Sequence, residues 1–274
     1  MTWKWKKIAC VVAVVALAGG AAAKLFYNKL IEDYSRTGAL VLEYHSISRK
    51  DWDPSLVIAP EVFERHLQIL QEQGYKMVTV EELCERLRTG KSVADYIALS
   101  FDDGYKDNYT NALPIMQKYQ AKGTFSVIYN RIGGDIYMSE VDIKEMLAAG
   151  MEIGSHTISH NPLGEIDPKY LEWEIGVGKY ALEKRFPGLE IKTMAYPNGS
   201  YNERIIADLK KYGYSQALTG HTGMNSHRFY KEHPMELNRV IVMDDGKGPF
   251  YFPGLLKRGY RRSFFLDLGI DLGE

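Results

Sequence analysis

The chain has 274 residues, enough for one large domain or two small ones, and its 45% hydrophobic and 25% charged residues are ordinary for a globular protein. The formal net charge of -1 offers no bulk attraction for nucleic acid, so we expect no nucleic-acid partner. Two cysteines neither require nor exclude an oxidising compartment.

The amino terminus has the pattern of a signal anchor or a signal peptide. Trp3-Lys4-Trp5-Lys6-Lys7 precedes an uncharged run at residues 8–23, and Lys24 closes this run. We predict a leader at residues 1–27, with a retained anchor favoured over cleavage, and a short polar tether at residues 28–38. Because the flanking lysines stay in the cytoplasm, the rest is expected at the extracytoplasmic face of the membrane, or secreted if the leader is cleaved. A buried N-terminal helix is the alternative.

Short apolar runs alternate with amphipathic stretches from residue 39 onward. Strands are predicted at residues 39–44, 77–80, 96–101, 124–129, 151–154, 193–196, 215–219 and 238–243. Helices are predicted at residues 60–73, 81–87, 105–121, 139–149, 167–186, 202–212 and, in part, 250–265. This alternation predicts one α/β domain at residues 39–274, and seven or eight parallel strands favour a barrel over an open sheet.

Unusual polar residues follow four of the predicted strands. They are His45, the pair Asp102-Asp103, the segment 156–160 and the segment 197–199. Because the carboxyl ends of parallel strands converge on one face, we expect these residues to form a site. Adjacent carboxylates repel each other, so the pair Asp102-Asp103 also indicates a nearby cation or a shared proton.

His156 and His160 have the spacing i, i+4, which on a helical turn makes both imidazoles face the same way. With one carboxylate they would form a set of two histidines and one acid that suits a single divalent ion. Zinc is favoured, and nickel, cobalt, iron and manganese also suit these ligands. Two unrelated histidines, one capping and one exposed, are the alternative.

Three motifs resemble those of the polysaccharide deacetylase family (NodB-homology domain, carbohydrate esterase family 4). Residues 100–104, Ser-Phe-Asp-Asp-Gly, are similar to its TFDDG motif; residues 156–160 match HSxxH with threonine for serine; residues 195–199 resemble RxPYG. The resemblance covers roughly residues 39–245 and implies a distorted (β/α)7 barrel. Residues 44–46, Tyr-His-Ser, and residues 217–239 resemble the poly-N-acetylglucosamine deacetylase subgroup.

The resemblance implies a role for each matched residue. The metal would be held by Asp103, His156 and His160. Asp102 would be the general base toward the attacking water, and a backbone N–H near Asn198 would help to stabilise the oxyanion. A cation on one acid of the pair would also relieve its repulsion on the other.

The general acid is not part of an intact motif. We nominate His45, because the resembled subgroup has a histidine at this position in its site. His221 is the second candidate, and His227 and His233 are interpreted as loop histidines.

The third motif departs from the family pattern. Ala195 stands where many members have an arginine that orients the base, and Asn198 replaces a tyrosine. Arg239 either orients Asp102 in place of that arginine or pairs with a carboxylate on the surface. Pro197 and Tyr105 are candidates for substrate binding, and Tyr105, like Tyr196, is a core residue in the alternative interpretation.

We therefore predict a metal-dependent hydrolase that removes N-acetyl groups from an extracellular polysaccharide containing N-acetylglucosamine, acting on amide but not peptide bonds. An O-acetyl esterase and a non-catalytic wall-polymer-binding module on a decayed barrel are the alternatives. A glycosidase with two carboxylates would not need the histidine pair. The expected partners are the acetylated glycan and, through the N-terminal segment, the membrane; the chain is expected to be a monomer.

Overall fold

The structure, a computed structural model, describes residues 20, 22–49, 56–243 and 251–271. Its strands are β1 (Gly38–Tyr44), β2 (Ser46–Ile47), β3 (Val57–Ile58), β4 (Lys76–Val78), β5 (Tyr96–Phe101), β6 (Thr124–Val127), β7 (Glu152–Ser155), β8 (Thr193–Ala195), β9 (Gln216–Leu218), β10 (Asn225–Ser226) and β11 (Val240–Ile241). The larger predicted strands are present, and the two-residue strands β2, β3 and β10 are too short to leave a periodic signal.

The helices alternate with these strands along the chain. They are α1 (residues 22–35), α2 (Pro60–Glu72), α3 (Val80–Thr89), α4 (Leu113–Lys118), α5 (Glu140–Ala148), α6 (Gly178–Arg185), α7 (Glu203–Lys211), α8 (His227–Glu232) and α9 (Phe252–Asp267). Two of the long predicted helices contain a π-helical stretch, Asn108–Ala112 before α4 and Glu172–Val177 before α6. Val80 was predicted to end a strand but begins α3, because the Thr79 side chain accepts a hydrogen bond from the Glu82 N–H and caps the helix.

The sheet is a curled, mainly parallel half-barrel. Seven strands follow one another in the order β10-β1-β5-β6-β7-β8-β9, and β10 is antiparallel to β1. On the side of β1 away from β5, β11 pairs in parallel with the carboxyl half of β1. At the other end of the sheet, Leu218 of β9 forms a parallel bridge to Leu237. The prediction of an α/β fold on a parallel sheet is confirmed, and residues 237–241 run between the two ends of the sheet.

Aromatic side chains fill the core beneath the acid pair. Phe101, the last residue of β5, stacks on Phe125 with ring centroids 4.4 Å apart and on Tyr44 at 5.4 Å. All three are buried, and burying a side chain of this size stabilises the fold by about 1.5–3 kcal/mol. This packing holds the carboxyl ends of β1, β5 and β6 beside one another.

The predicted leader lies mostly outside the described residues. Among the helices that the structure does describe, none combines the length and the apolar character needed to cross a membrane. Most of the predicted tether is helical in α1, which packs on α9 through a Tyr34–Phe264 ring contact at 5.2 Å. The buried Ile31 lies three residues before Tyr34, so α1 has a narrow apolar stripe among polar residues.

Candidate active site

The acid pair sits where β5 turns away from the sheet. The Asp102 N–H still donates to the Tyr44 carbonyl, at 3.0 Å, and so continues the strand ladder. Asp103 (φ 72°) and Gly104 (φ 75°) then both adopt left-handed backbone. A Cβ at residue 104 would lie 3.0 Å from Val127 Cγ1. Glycine suits this turn because it tolerates the positive φ and because it avoids this close contact. The two carboxylates consequently have different partners.

Asp103 lies against the two predicted histidine ligands. Its Oδ1 is 3.3 Å from His160 Nε2 and 3.7 Å from His156 Nε2. Ligand atoms of a tetrahedral zinc site, each at about 2.1 Å from the ion, are separated by roughly 3.4 Å, so this donor set fits the ion. Asp103 Oδ1 is also buried without a hydrogen-bond partner among the described residues. A buried carboxylate oxygen of this kind costs free energy, and a bound cation would remove that cost.

Neighbouring groups hold both imidazoles in the form that binds a cation. His156 Nδ1 lies 2.8 Å from the Ala195 carbonyl, which can only accept, so Nδ1 carries the proton and Nε2 offers its lone pair. Burial, together with His156, lowers the pKa of His160 to about 4 against the opposing charge of Asp103. Both histidines therefore have the donor atoms that the metal prediction requires.

The segment that carries the two histidines is a loop and not the helical turn that their spacing suggested. Thr157 and His160 both have φ of 66°, in the left-handed region. Glu174, from the π-helical stretch before α6, accepts hydrogen bonds from the N–H groups of Ile158 and Ser159, at 3.0 Å each. It also accepts from the Ser159 hydroxyl. The buried Glu174 carboxylate thus stabilises the backbone of the histidine loop.

Glu174→Ala should weaken cation binding without touching a ligand. Loss of a supporting partner behind a metal ligand typically lowers metal affinity by about 10–100-fold. Each of the three donors left without a partner should cost about 1–3 kcal/mol of stability where it stays buried. Zinc titration and thermal unfolding measure both effects. Glu172→Ala, which removes an exposed carboxylate from the same stretch, is the matched control. Unchanged zinc affinity in Glu174→Ala would show that the loop keeps its shape without Glu174.

Asp102 is paired with a buried arginine. Arg239 is 2% exposed, and its Nη1 donates to both Asp102 oxygens, at 3.0 and 2.9 Å. Its Nε donates to the Thr219 carbonyl at 2.8 Å and lies 3.0 Å from Glu43 Oε2. Of the two interpretations of Arg239, contact with Asp102 is the one observed, and a surface ion pair is not.

The charges around Asp102 keep it ionised. Burial raises the pKa of Asp102, but Arg239, His156 and His45 together outweigh burial, and the net shift of the pKa is downward. Burial raises the pKa of Glu43 to about 7, although Arg239 opposes this. Asp102 is therefore available as a proton acceptor at neutral pH.

A second acid and histidine cluster lies beside the first. Ligand atoms of Glu43, His45 and Asp102 also lie within 4.8 Å of one another. The Arg239 guanidinium already lies against both carboxylates, so a cation there would meet a fixed positive charge. The set of Asp103 and the two histidines is the better candidate for a metal site.

His45 lies at the end of β1 beside this cluster. Its Nε2 is 3.8 Å from Glu43 Oε1, and its carbonyl accepts a hydrogen bond from Asn108 Nδ2 at 2.7 Å. Burial lowers the pKa of His45, against the raising effect of Asp102 and Asp103. His221, the other candidate, is exposed. The structure thus places His45, and not His221, within the acid cluster.

Comparison with known proteins decides the family. The polysaccharide deacetylase family model matches residues 89–217. YxkH of Bacillus subtilis, provisionally named a polysaccharide deacetylase, is 34% identical over 187 residues, which are 68% of this chain and 66% of YxkH. The chain belongs to the polysaccharide deacetylase family. The match spans slightly less than two thirds of that relative.

Two further relatives place the chain within the family. A poly-beta-1,6-N-acetyl-D-glucosamine N-deacetylase of Staphylococcus epidermidis is 26% identical over 219 residues, covering 70% of this chain and 75% of the relative. The structure of a Streptococcus pyogenes deacetylase in complex with acetate superposes with a TM-score of 0.73 at 26% identity, covering 80% of this chain and 98% of that one. The predicted resemblance to the polysaccharide deacetylase family, including its poly-N-acetylglucosamine deacetylases, is confirmed.

The third deacetylase motif forms a tight turn next to the candidate metal site. Pro197 is buried, and Asn198 is exposed with φ of 53°. The N–H of Gly199 donates to the Tyr196 carbonyl at 2.9 Å, so this N–H is engaged within the turn. The Tyr196 hydroxyl donates to the Met235 carbonyl, at 3.0 Å in the core. Tyr196 is thus a core residue, and the Asn198 N–H stays the predicted oxyanion donor.

Tyr105 contacts Asp103 in the candidate metal site. Its ring stacks on Tyr137 with centroids 5.4 Å apart, and its hydroxyl hydrogen-bonds with Asp103. Tyr105 was predicted only as a substrate-binding or core residue, and Glu43 was not predicted as a site residue. The signal for Glu43 was available, because it is the one charged residue in the apolar run of residues 39–44.

Proposed function

We propose that this polysaccharide deacetylase is a zinc-dependent N-deacetylase of an extracellular polymer that contains N-acetylglucosamine. One observation carries the proposal: the adjacent carboxylates Asp102 and Asp103 have separate partners. Asp103 lies against two imidazole nitrogens, and Asp102 lies against a guanidinium. Such a division suits a reaction that needs a cation and a free base side by side.

The residues of the site can divide the reaction between them. When bound, a divalent cation supplies Lewis acidity and lowers the pKa of water at the site. Asp102 accepts the proton of the attacking water as the new C–O bond forms at the acetamide carbon. The Asn198 N–H donates to the developing oxyanion. His45 delivers a proton to the nitrogen as the C–N bond breaks, and the products are acetate and a free amine.

The relatives support the proposed substrate, and the predicted leader supports the proposed location. The Staphylococcus epidermidis relative is named for N-deacetylation of a poly-N-acetylglucosamine, and the streptococcal structure holds acetate, the product expected here. We propose that a signal anchor at residues 1–27 holds the domain at the extracytoplasmic face. We also propose that the site lies at the carboxyl-end face of a distorted (β/α)7 barrel.

The alternative of a non-catalytic binding module loses its main support. The absent arginine at residue 195 suggested a decayed site. Arg239 approaches Asp102 from a different part of the chain, so the proposed base still has a buried guanidinium. An O-acetyl esterase would use the same residues, so only the choice of substrate distinguishes it from an N-deacetylase.

Acetate release from a panel of polymers tests the function. The panel holds β-1,6 and β-1,4 N-acetylglucosamine oligomers, peptidoglycan and O-acetylated xylan, each with chelator and with zinc restored. We expect acetate from an N-acetylated member, at least about 100-fold less after chelation, and recovery with zinc. Release from xylan alone would indicate an esterase. No acetate from any member, with no bound ion, would indicate a binding module.

A further inference from the structure

We propose that Glu43 is a positioning residue that couples the base and the acid of the deacetylation; this inference rests on the proposed function. The two oxygens of this one carboxylate have different neighbours. Glu43 Oε2 lies 3.0 Å from Arg239 Nε, and Glu43 Oε1 lies 3.8 Å from His45 Nε2. Glu43 therefore faces the guanidinium that holds Asp102 and also faces the proposed general acid.

Toward the base, Glu43 acts through Arg239. The guanidinium is held at both ends, since Nη1 donates to Asp102 and Nε donates to the Thr219 carbonyl. Glu43 Oε2 lies 3.0 Å from Nε as an ion-pair partner and accepts no hydrogen bond among the described residues. A buried guanidinium that faces two carboxylates shares its charge between them, so Asp102 remains more basic than it would be as the sole partner. Removal of the Glu43 charge would give Asp102 the whole of that interaction.

Toward the acid, Glu43 acts on His45 directly. A carboxylate 3.8 Å from Nε2 is too far for a hydrogen bond but attracts the imidazolium that has a proton to donate. In its ionised form the same carboxylate would balance the charge of the cation-loaded site, because three acids (Glu43, Asp102 and Asp103) would then face one arginine and one divalent cation. Without Glu43 the cation-loaded site would carry an excess positive charge, which disfavours a protonated histidine.

Packing alone does not account for this residue. Glu43 is buried within β1, whose other residues from Ala39 to Tyr44 are apolar. A buried ion pair rarely stabilises a fold more than a well-packed apolar pair would, so packing alone would favour an apolar side chain here. The Glu43 charge is therefore assigned to the site.

Glu43→Gln, compared with His45→Gln on two substrates, tests this assignment. An N-acetylglucosamine oligomer needs its leaving nitrogen protonated, whereas 4-nitrophenyl acetate releases an anion that does not. We expect Glu43→Gln to lower kcat by about 10–100-fold on the oligomer and less on the ester, with KM and zinc stoichiometry unchanged. His45→Gln should lose activity on the oligomer alone.

Glu152→Gln is the matched control. Glu152 lies at the opposite, amino end of β7, where its carboxylate accepts hydrogen bonds from the hydroxyls of Thr124 and Thr193. It should keep wild-type kcat on both substrates. Glu43→Asp, which keeps the charge at a shorter reach, should have kcat between those of wild type and Glu43→Gln.

Three results would overturn the role of Glu43. The first is a kcat of Glu43→Gln within about twofold of wild type on the oligomer. The second is a loss of zinc in proportion to the loss of activity. The third is failure of both Glu43 variants to fold, which would make the residue structural. Failure of the proposed function is distinguishable from these. In that case the zinc-loaded wild type itself releases no acetate from the oligomer.

Discussion

Asp103→Asn should lose cation binding and acetate release together. Its carboxylate would supply the charged ligand beside the imidazoles of His156 and His160, and an amide oxygen cannot replace that charge. Asparagine tolerates the left-handed backbone at φ 72°, so the turn should survive the change. We expect zinc affinity and kcat each to fall by more than about 100-fold, beyond the effect of an outer-shell partner. Zinc stoichiometry and acetate release measured on the same protein check this.

Excess zinc should restore part of the Asp103→Asn activity, because the two histidines remain. The control is again Glu152→Gln, which removes a half-buried carboxylate at the other end of the sheet. Wild-type zinc affinity in Asp103→Asn would mean that the ion is held elsewhere. The cluster of Glu43, His45 and Asp102 would then be the site to test.

Asp102→Asn should separate the two properties that Asp103→Asn loses together. The proposed zinc ligands are untouched, so the zinc stoichiometry should stay at the wild-type value. Asparagine cannot accept the proton of the attacking water, and loss of a general base typically lowers kcat by about 100- to 10,000-fold. Arg239 keeps Glu43 and the Thr219 carbonyl as partners, so the fold should be retained.

The loss in Asp102→Asn should also appear with 4-nitrophenyl acetate, because attack by water is common to both substrates. That pattern differs from His45→Gln, in which the ester is spared. If Asp102→Asn instead stripped the zinc, the assigned roles of Asp102 and Asp103 would be reversed.

The local sequence pattern was sufficient to predict the strands and helix caps that depend on residues close together in the chain. Residues 96–101 were predicted as a strand and form β5, because the apolar run ends at the acid pair and nothing in it competes with extended backbone. Ser139 was predicted to cap a helix, and it does so with Asp142 in a reciprocal pair of hydrogen bonds. Convergence of the strand ends followed from the parallel topology.

The helical turn assigned to residues 156–160 shows where local pattern misled. The spacing of the histidines is compatible with one helical face, yet the backbone is a loop with two left-handed residues. Glu174, distant in sequence, supplies the hydrogen bonds that stabilise this alternative. A local rule cannot include a partner on another element.

The acid pair was evident from the sequence by itself, together with its histidine neighbours and the α/β alternation that brings them to one face. Only the tertiary structure decided what stands beside Asp102. Arg239 reaches it across 137 residues of sequence because β11 pairs with β1, and this pairing places Glu43 against the same guanidinium. Such contacts depend on which strands far apart in the chain become neighbours, and the periodicity of a single strand does not specify its distant partner.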